Sequence, residues 1–306
     1  MPEVTPHRRP VRWHIAVFLL PTLAIYTIVF VIPILVTLYQ SLFSKEWTYV
    51  GLTNYLTVLA NPRYAASFWN ALGNNVQFFL IHLLVQNPIG ILLAALLSNP
   101  RLRLRALYRT IFFIPTILSF VIIGFVWKLI LSPTWGVAEG MLSVVGLRSL
   151  FAPWLGLENT ALPTLALISV WQFIGTTMLL TYAALLAIPD QIVEAAECDG
   201  ITGWSLFWKI KLPLIVPTIG ILSILTFIGN FNAFDIVYAV QGAAAGPNYA
   251  TDLLGTFLYR TLYGYQIQLG DRAIGSTIAA MMFVIILAGV GLYLFFVQMR
   301  LRRYQL

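Results

Sequence analysis

Apolar positions along this chain do not alternate with polar ones; they run together. Six stretches are almost free of charge, near Ile15 to Tyr39, Leu72 to Leu97, Leu107 to Leu131, Leu162 to Ile188, Leu212 to Val240 and Ile274 to Val297. A helix rising about 1.5 Å per residue needs about 20 residues to cross about 30 Å of hydrocarbon, so each stretch predicts a membrane span. The fold class is therefore an all-α integral membrane protein with six transmembrane helices. Pro21, Pro33, Pro88, Pro115 and Pro217 fall inside or near the ends of these runs. In a helical bundle they read as kinks, because neighbouring groups can satisfy the freed carbonyls.

The polar intervals are short. Those at Gln40 to Trp69, Ser132 to Ala161 and Gln241 to Ala273 are punctuated by Gly and Pro, and GVAEGMLSVVGL in the second predicts a small interfacial helix. With no internal repeat or soluble domain in view, one membrane domain fills 15–299, between tails at 1–14 and 300–306.

Composition agrees with the pattern: 59% of the 306 residues are hydrophobic, 9% are charged, and the mean hydropathy is +0.85. The net charge of +7 reflects topology rather than nucleic-acid binding, because the basic residues flank apolar runs. Arg8, Arg9, Arg12, Arg101, Arg103, Arg105, Arg109, Lys209, Lys211, Arg300, Arg302 and Arg303 share one side, twelve of the eighteen cations. Lys45, Arg63, Lys128, Arg148, Arg260 and Arg272 fall on the other. That excess places both termini in the cytoplasm of a plasma (inner) membrane. The apolar run behind the basic N-terminus is too long for a signal-peptide core and reads as a retained first helix. The single Cys198 excludes an intramolecular disulfide framework.

One stretch breaks the pattern on the cytoplasmic side: EAAECDGITGWSLFWKIKLPLIVP, Glu194 to Pro217. Pro189 suits a first helical turn, Asp190 and Glu194 place negative charge near its positive end, and Gly200 can stop it. Ala195 and Ala196 offer a surface with little bulk. Thr202 can cap a second helix in which Phe207, Ile210 and Leu214 recur at helical spacing, before Pro213 and Pro217 lead into the fifth span. A solvated tether has no need of these signals in this order, so the stretch predicts a docking element for a cytoplasmic protein.

Glu194, Ala195, Ala196, Asp199, Gly200, Phe207, Ile210, Leu212, Pro213 and Pro217 resemble the EAA loop of membrane subunits of binding-protein-dependent ABC importers. Trp171, the LLAIPD run ending at Asp190, FNAFDIVYAVQGAAAGPNYAT and LGDRAIGSTIAAMMF extend the resemblance, most closely to the maltose and glycerol-3-phosphate permease group. It implies a type I (MetI-like) permease bundle with the coupling loop at 190–212. The partners implied are a second similar permease, two cytoplasmic ATPases, an extracytoplasmic solute-binding protein and a sugar or similar small polar solute. Glu194, Ala195, Ala196, Asp199, Gly200, Phe207, Ile210, Leu212 and Pro213 would carry the ATPase coupling. ATP and magnesium would belong to the ATPases, and this chain would be a non-catalytic subunit without a cofactor or metal. None of its four lysines is followed by Ser or Thr, so it has no P-loop.

The resemblance also assigns solute contacts near the bilayer midplane: Gln172, Phe173 and Thr176 on the fourth span, and Thr226, Gly229, Asn230 and Ala233 on the fifth. Thr226, Asn230 and Ala233 share one helix face, as do Gln172 and Thr176. Amides and hydroxyls suit sugar hydroxyls, and Phe173 suits a ring's apolar face; the same groups can also bridge helices. Where maltose permeases carry other residues at Thr176, Gly229 and Ala233, the departures argue against maltose itself. His82, Gln86 and Asn87 beside Pro88 read as helix contacts or a kink. Lys128 and Asp235 lie at span ends, and Glu139 and Glu158 are isolated outer acids. An embedded enzyme would bring acid, histidine or metal clusters to one interface, and an ion-coupled carrier would need charges inside its spans; neither pattern is visible.

Overall fold

In a computed structural model the described residues are 13–99, 102–266 and 268–295. Most of the two tails, with Arg8, Arg9, Arg12, Arg300, Arg302 and Arg303, lies outside them, as do Arg101 and Val297. Among the described residues five helices are long and apolar enough to span a membrane: Val17–Gln40, Pro62–Leu97, Glu158–Leu186, Gly203–Phe231 and Arg272–Tyr293. A sixth span is made of two helices, Arg105–Ile117 and Phe120–Ile130, bent by 99°. We number these spans one to six in chain order.

The third span is not the single helix expected over Leu107 to Leu131. Pro115 cannot donate to the helical ladder, Leu118 and Ser119 are extended, and Ser119 Oγ then accepts the Ile122 N–H at 3.3 Å to start a new helix. Nor does the fifth span reach Val240. It ends at Phe231, where the Asn230 and Asn232 side chains both donate to carbonyls one turn earlier, and a separate helix, Asp235–Gln241, follows. Polar side chains that bond local backbone compete with the helix, and an apolar count does not register that.

Pro33, Pro88 and Pro213 share a device. Each follows by two residues a π-helical turn, Thr27–Val31, His82–Gln86 and Phe207–Lys211. In each case the residue before the proline donates five residues back, to Thr27, His82 and Phe207. The wider turn absorbs the missing donor, so the helix continues. For the third proline this joins the short helix at Gly203 to the fifth span as one continuous element.

The fourth span packs against both the second and the third. Gly90 lies against Thr177, and Gly175 lies so close to Phe112 that an added Cβ would stand 2.4 Å from its carbonyl oxygen. Small residues let helices approach in this way where lipid supplies no hydrophobic drive. At the end of the bundle that carries the 190–212 stretch, Ala94, Leu97, Met178, Tyr182, Leu185, Phe207 and Ile215 form one buried inner cluster. Two further clusters, around Phe78, Leu165 and Val237 and around Phe68, Phe231 and Ile278, fill the rest.

The intervals at 40–69, 132–161 and 241–273 are more structured than their Gly/Pro punctuation implied. The first holds a helix, Thr53–Ala60, and the start of the second span, whose Asn61 cap accepts the Arg63 N–H at 3.0 Å. In the second, Ala138–Val144 is the expected short helix. Glu139 is not isolated: it pairs with Arg148 at 2.9 Å. Glu158 opens the fourth span, where a carboxylate suits the helix dipole. The third interval holds Leu254–Tyr263 and a two-stranded hairpin, Gly264–Tyr265 with Gln268–Leu269.

Candidate functional site

A cavity of about 320 Å³ opens between the second, fourth and fifth spans and the break in the third. Six of the seven predicted solute positions line it: Phe173, Thr176, Thr226, Gly229, Asn230 and Ala233. Asn230 Nδ2 donates to the Thr226 carbonyl at 2.7 Å, and Asn75 Nδ2 donates to the Asn230 carbonyl at 2.8 Å. Thr226 Oγ1 lies 2.8 Å from the Leu222 carbonyl and 3.2 Å from Asn87 Oδ1. Phe173 meets Phe120, the first residue after the third-span break, with ring centroids 5.9 Å apart.

Gln172 stands apart. It is buried outside the cavity lining, its side-chain Nε2 reaches the Leu118 carbonyl at 3.4 Å, and its backbone carbonyl accepts Thr116 Oγ1 at 2.8 Å. The amide therefore supports the backbone opened at the third-span break.

The remaining wall was not among the predicted contacts. Phe78, His82, Gln86, Ser169 and Thr177 all line the cavity, and Asn232, Phe234 and Asp235 close its side at the fifth-span break. His82 Nδ1 is 2.8 Å from the Phe78 carbonyl, which makes it the donor, so Nε2 accepts the Ser169 hydroxyl at 3.0 Å. The signal that could have found this wall is the spacing of Phe78, His82 and Gln86 at four-residue intervals along one face of the helix. Asp235 is the one charged residue in the lining. No group of three or more metal-ligating side chains occurs among the described residues.

The stretch 190–217 folds as helix, glycine turn, helix. Asp190–Cys198 ends in a turn in which Gly200 N donates to Glu197 O at 3.0 Å and Ile201 N to Ala196 O at 2.9 Å, with Gly200 at φ +77°. That left-handed position is why a glycine stands there. Thr202 occupies the next cap position without a side-chain cap hydrogen bond. The two alanines do not share a surface, because neighbours on a helix point about 100° apart: Ala195 is exposed and Ala196 is buried. The predicted coupling set divides accordingly. Glu194, Ala195, Asp199 and Gly200 are exposed, as is Pro213. Ala196 and Phe207 are buried, with Ile210 and Leu212 half-buried. Phe207 packs with Met178, Tyr182 and Ile215, tying the stretch to the fourth and fifth spans.

The profile of the family described as binding-protein-dependent transport system inner membrane component matches residues 86–302. The chain is 32% identical over 277 residues to the probable ABC transporter permease protein YurN of Bacillus subtilis, covering 89% of this chain and 91% of that protein. It is 32% identical over 281 residues to the trehalose/maltose transport system permease protein MalF of Thermococcus litoralis, covering 90% of each. Among solved structures it superposes with TM-score 0.76 and 26% identity, over 92% of each chain, on a bacterial alginate ABC transporter in complex with its alginate pentasaccharide-bound periplasmic protein. The chain belongs to the family of inner-membrane components of binding-protein-dependent ABC transport systems, with its MetI-like permease fold.

Proposed function

We propose that this chain is the permease subunit of an ATP-driven importer that takes up a sugar or oligosaccharide by alternating access. The observation that carries the reading is the cavity wall: amides, hydroxyls, the rings of Phe78, Phe120, Phe173 and Phe234 and the single carboxylate of Asp235, with no Lys or Arg. Neutral donors and acceptors beside aromatic faces suit saccharide hydroxyls and apolar ring faces. A phosphate or other anion would call for cations, which weighs against glycerol-3-phosphate. The relative named for trehalose/maltose transport supports the same class, and the alginate transporter, whose solute is an acidic polysaccharide, supports a saccharide without supporting its neutrality.

The stretch 190–212 is the coupling element in this reading. Its exposed helix docks on one subunit of an ABC ATPase dimer, which binds ATP and magnesium, while buried Phe207 passes the displacement into the fourth and fifth spans. Two features support a swinging bundle: the cavity abuts both helix breaks, and these are places where a helix can change direction without repacking its whole length. A second, similar permease completes the pathway. The first span supports that assembly, because over Val17–Phe30 its side chains are all exposed. An extracytoplasmic binding protein delivers the solute, and both termini are cytoplasmic.

The test is reconstitution of the complex that co-purifies with this chain into proteoliposomes, with ATP on the ATPase side. Saccharide uptake that needs ATP and the binding protein is expected. ATP-dependent uptake of an anionic or amino-acid solute in place of any saccharide would refute the sugar assignment and leave the importer assignment standing.

A further inference from the structure

The second span supplies a wall of the cavity whose polar side chains, His82 and Gln86, have no individual role so far. Gln86 lines the cavity and is only 6% exposed. Its Nε2 donates to Thr177 Oγ1 at 3.0 Å, and Thr177 passes its hydrogen to Asn87 Oδ1 at 3.4 Å, while Gln86 Oε1 has no partner. Turning the amide over would exchange an orphan acceptor for an orphan donor, so one buried polar atom stays unpaired in either orientation. Buried polar atoms are rarely left so, and the hydrocarbon around the bundle offers nothing to pair with.

The backbone places this residue with care. Gln86 ends the π turn His82–Gln86 imposed by Pro88, and π turns concentrate at functional sites. One turn earlier His82 holds the Ser169 hydroxyl hydrogen on its Nε2, which leaves the oxygen of Ser169, another lining residue, as an acceptor only. Two lining residues on one wall therefore each keep an acceptor to which no protein group donates, although Asn87 Nδ2 beside Gln86 is itself without a partner.

We propose that Gln86 is a specificity-determining contact for the solute, its Oε1 accepting a hydrogen bond from a solute hydroxyl, with Ser169 Oγ as a second acceptor beside it. The site selects a neutral polyhydroxylated group at this wall and disfavours a carboxylate or phosphate there, since acceptors would face acceptors. The inference rests on the saccharide reading of the cavity.

The experiment uses the complete reconstituted transporter, with wild-type chain or Gln86→Met, and measures uptake KM for the transported saccharide and its monodeoxy analogues. Preferences of the binding protein are common to both and cancel in the ratio. In the wild type one deoxy position raises KM about tenfold, the worth of a single good hydrogen bond. In Gln86→Met that penalty disappears while penalties at other positions persist. An identical set of penalties in both proteins overturns the proposal. Should Gln86→Met fail to assemble, Gln86→Glu keeps an acceptor oxygen and must retain the penalty; losing it there overturns the proposal equally. Absence of any saccharide uptake by the wild type overturns the reading beneath, and that outcome is seen before a variant is made.

Discussion

Gly200 and Asn230 show how much one side chain, or the lack of one, can decide. At φ +77° Gly200 holds the turn that ends the helix Asp190–Cys198. Alanine in that conformation costs about 1 kcal/mol, so Gly200→Ala should lower uptake several-fold. Gly200→Pro cannot reach the angle and loses the N–H given to Glu197, so it should abolish ATP-coupled uptake with normal amounts of protein in the membrane. Uptake assays alongside membrane quantification distinguish the two; full activity in the proline variant would remove the coupling assignment. Asn230→Ala removes an amide from the cavity lining and one tie between side chain and helix. It should raise uptake KM about tenfold with the ATPase rate of the resting complex unchanged. Asn230 was legible because an amide in an apolar helix must face protein, water or ligand. Gln172 obeys the same rule yet faces the third-span break, since the sequence does not say which of those three an amide has found.

At the scale of elements, the apolar runs located the spans well and their interruptions poorly. Hydropathy counts carbon, whereas the ends of the third and fifth spans are decided by hydrogen bonds: a proline that withholds a donor at 115, and two asparagines that compete for carbonyls at 226 and 228. The π turns were equally hidden, because a proline announces a lost donor without saying whether the helix breaks or widens. Pro213 makes this testable. Its π turn holds Phe207 in the inner cluster with Ala94, Leu97 and Met178. Pro213→Ala restores the donor, lets the turn tighten to an α-helix and rotates Phe207 by about one residue's 100° away from that cluster. Solute-stimulated ATPase activity should drop at least several-fold while the uncoupled rate persists. Unaltered stimulation would mean that packing, not the proline, sets the turn.

Across the whole molecule, the cavity is held between a cluster tied to the 190–212 stretch and, toward the other end, an outer layer pinned by polar contacts that no periodicity reveals. Asn70 and Asn74 of the second span donate to the carbonyls of Tyr249, Ala250 and Asp252, and Asn75 Oδ1 accepts the Leu254 N–H at 2.7 Å. These partners lie nearly 180 residues away, a separation at which sequence spacing is silent. The knot of this layer is Asp252 with Arg260, a fully buried carboxylate meeting a guanidinium through both oxygens. Thr256 Oγ1 donates to the same carboxylate at 2.6 Å, and Arg260 stands 4.7 Å over the Tyr249 ring. A buried pair adds little over a well-packed apolar replacement, but removing one partner strands a charge at a cost of about 3–5 kcal/mol. Arg260→Met should therefore lower the thermal midpoint of the assembled transporter in detergent by several degrees. Asp252→Asn combined with Arg260→Met removes the stranded charge and should recover at least half of that loss. If the single variant melts like the wild type, the outer layer is held by its asparagine contacts alone; if the double variant melts below the single, the carboxylate is worth more to Thr256 than to Arg260.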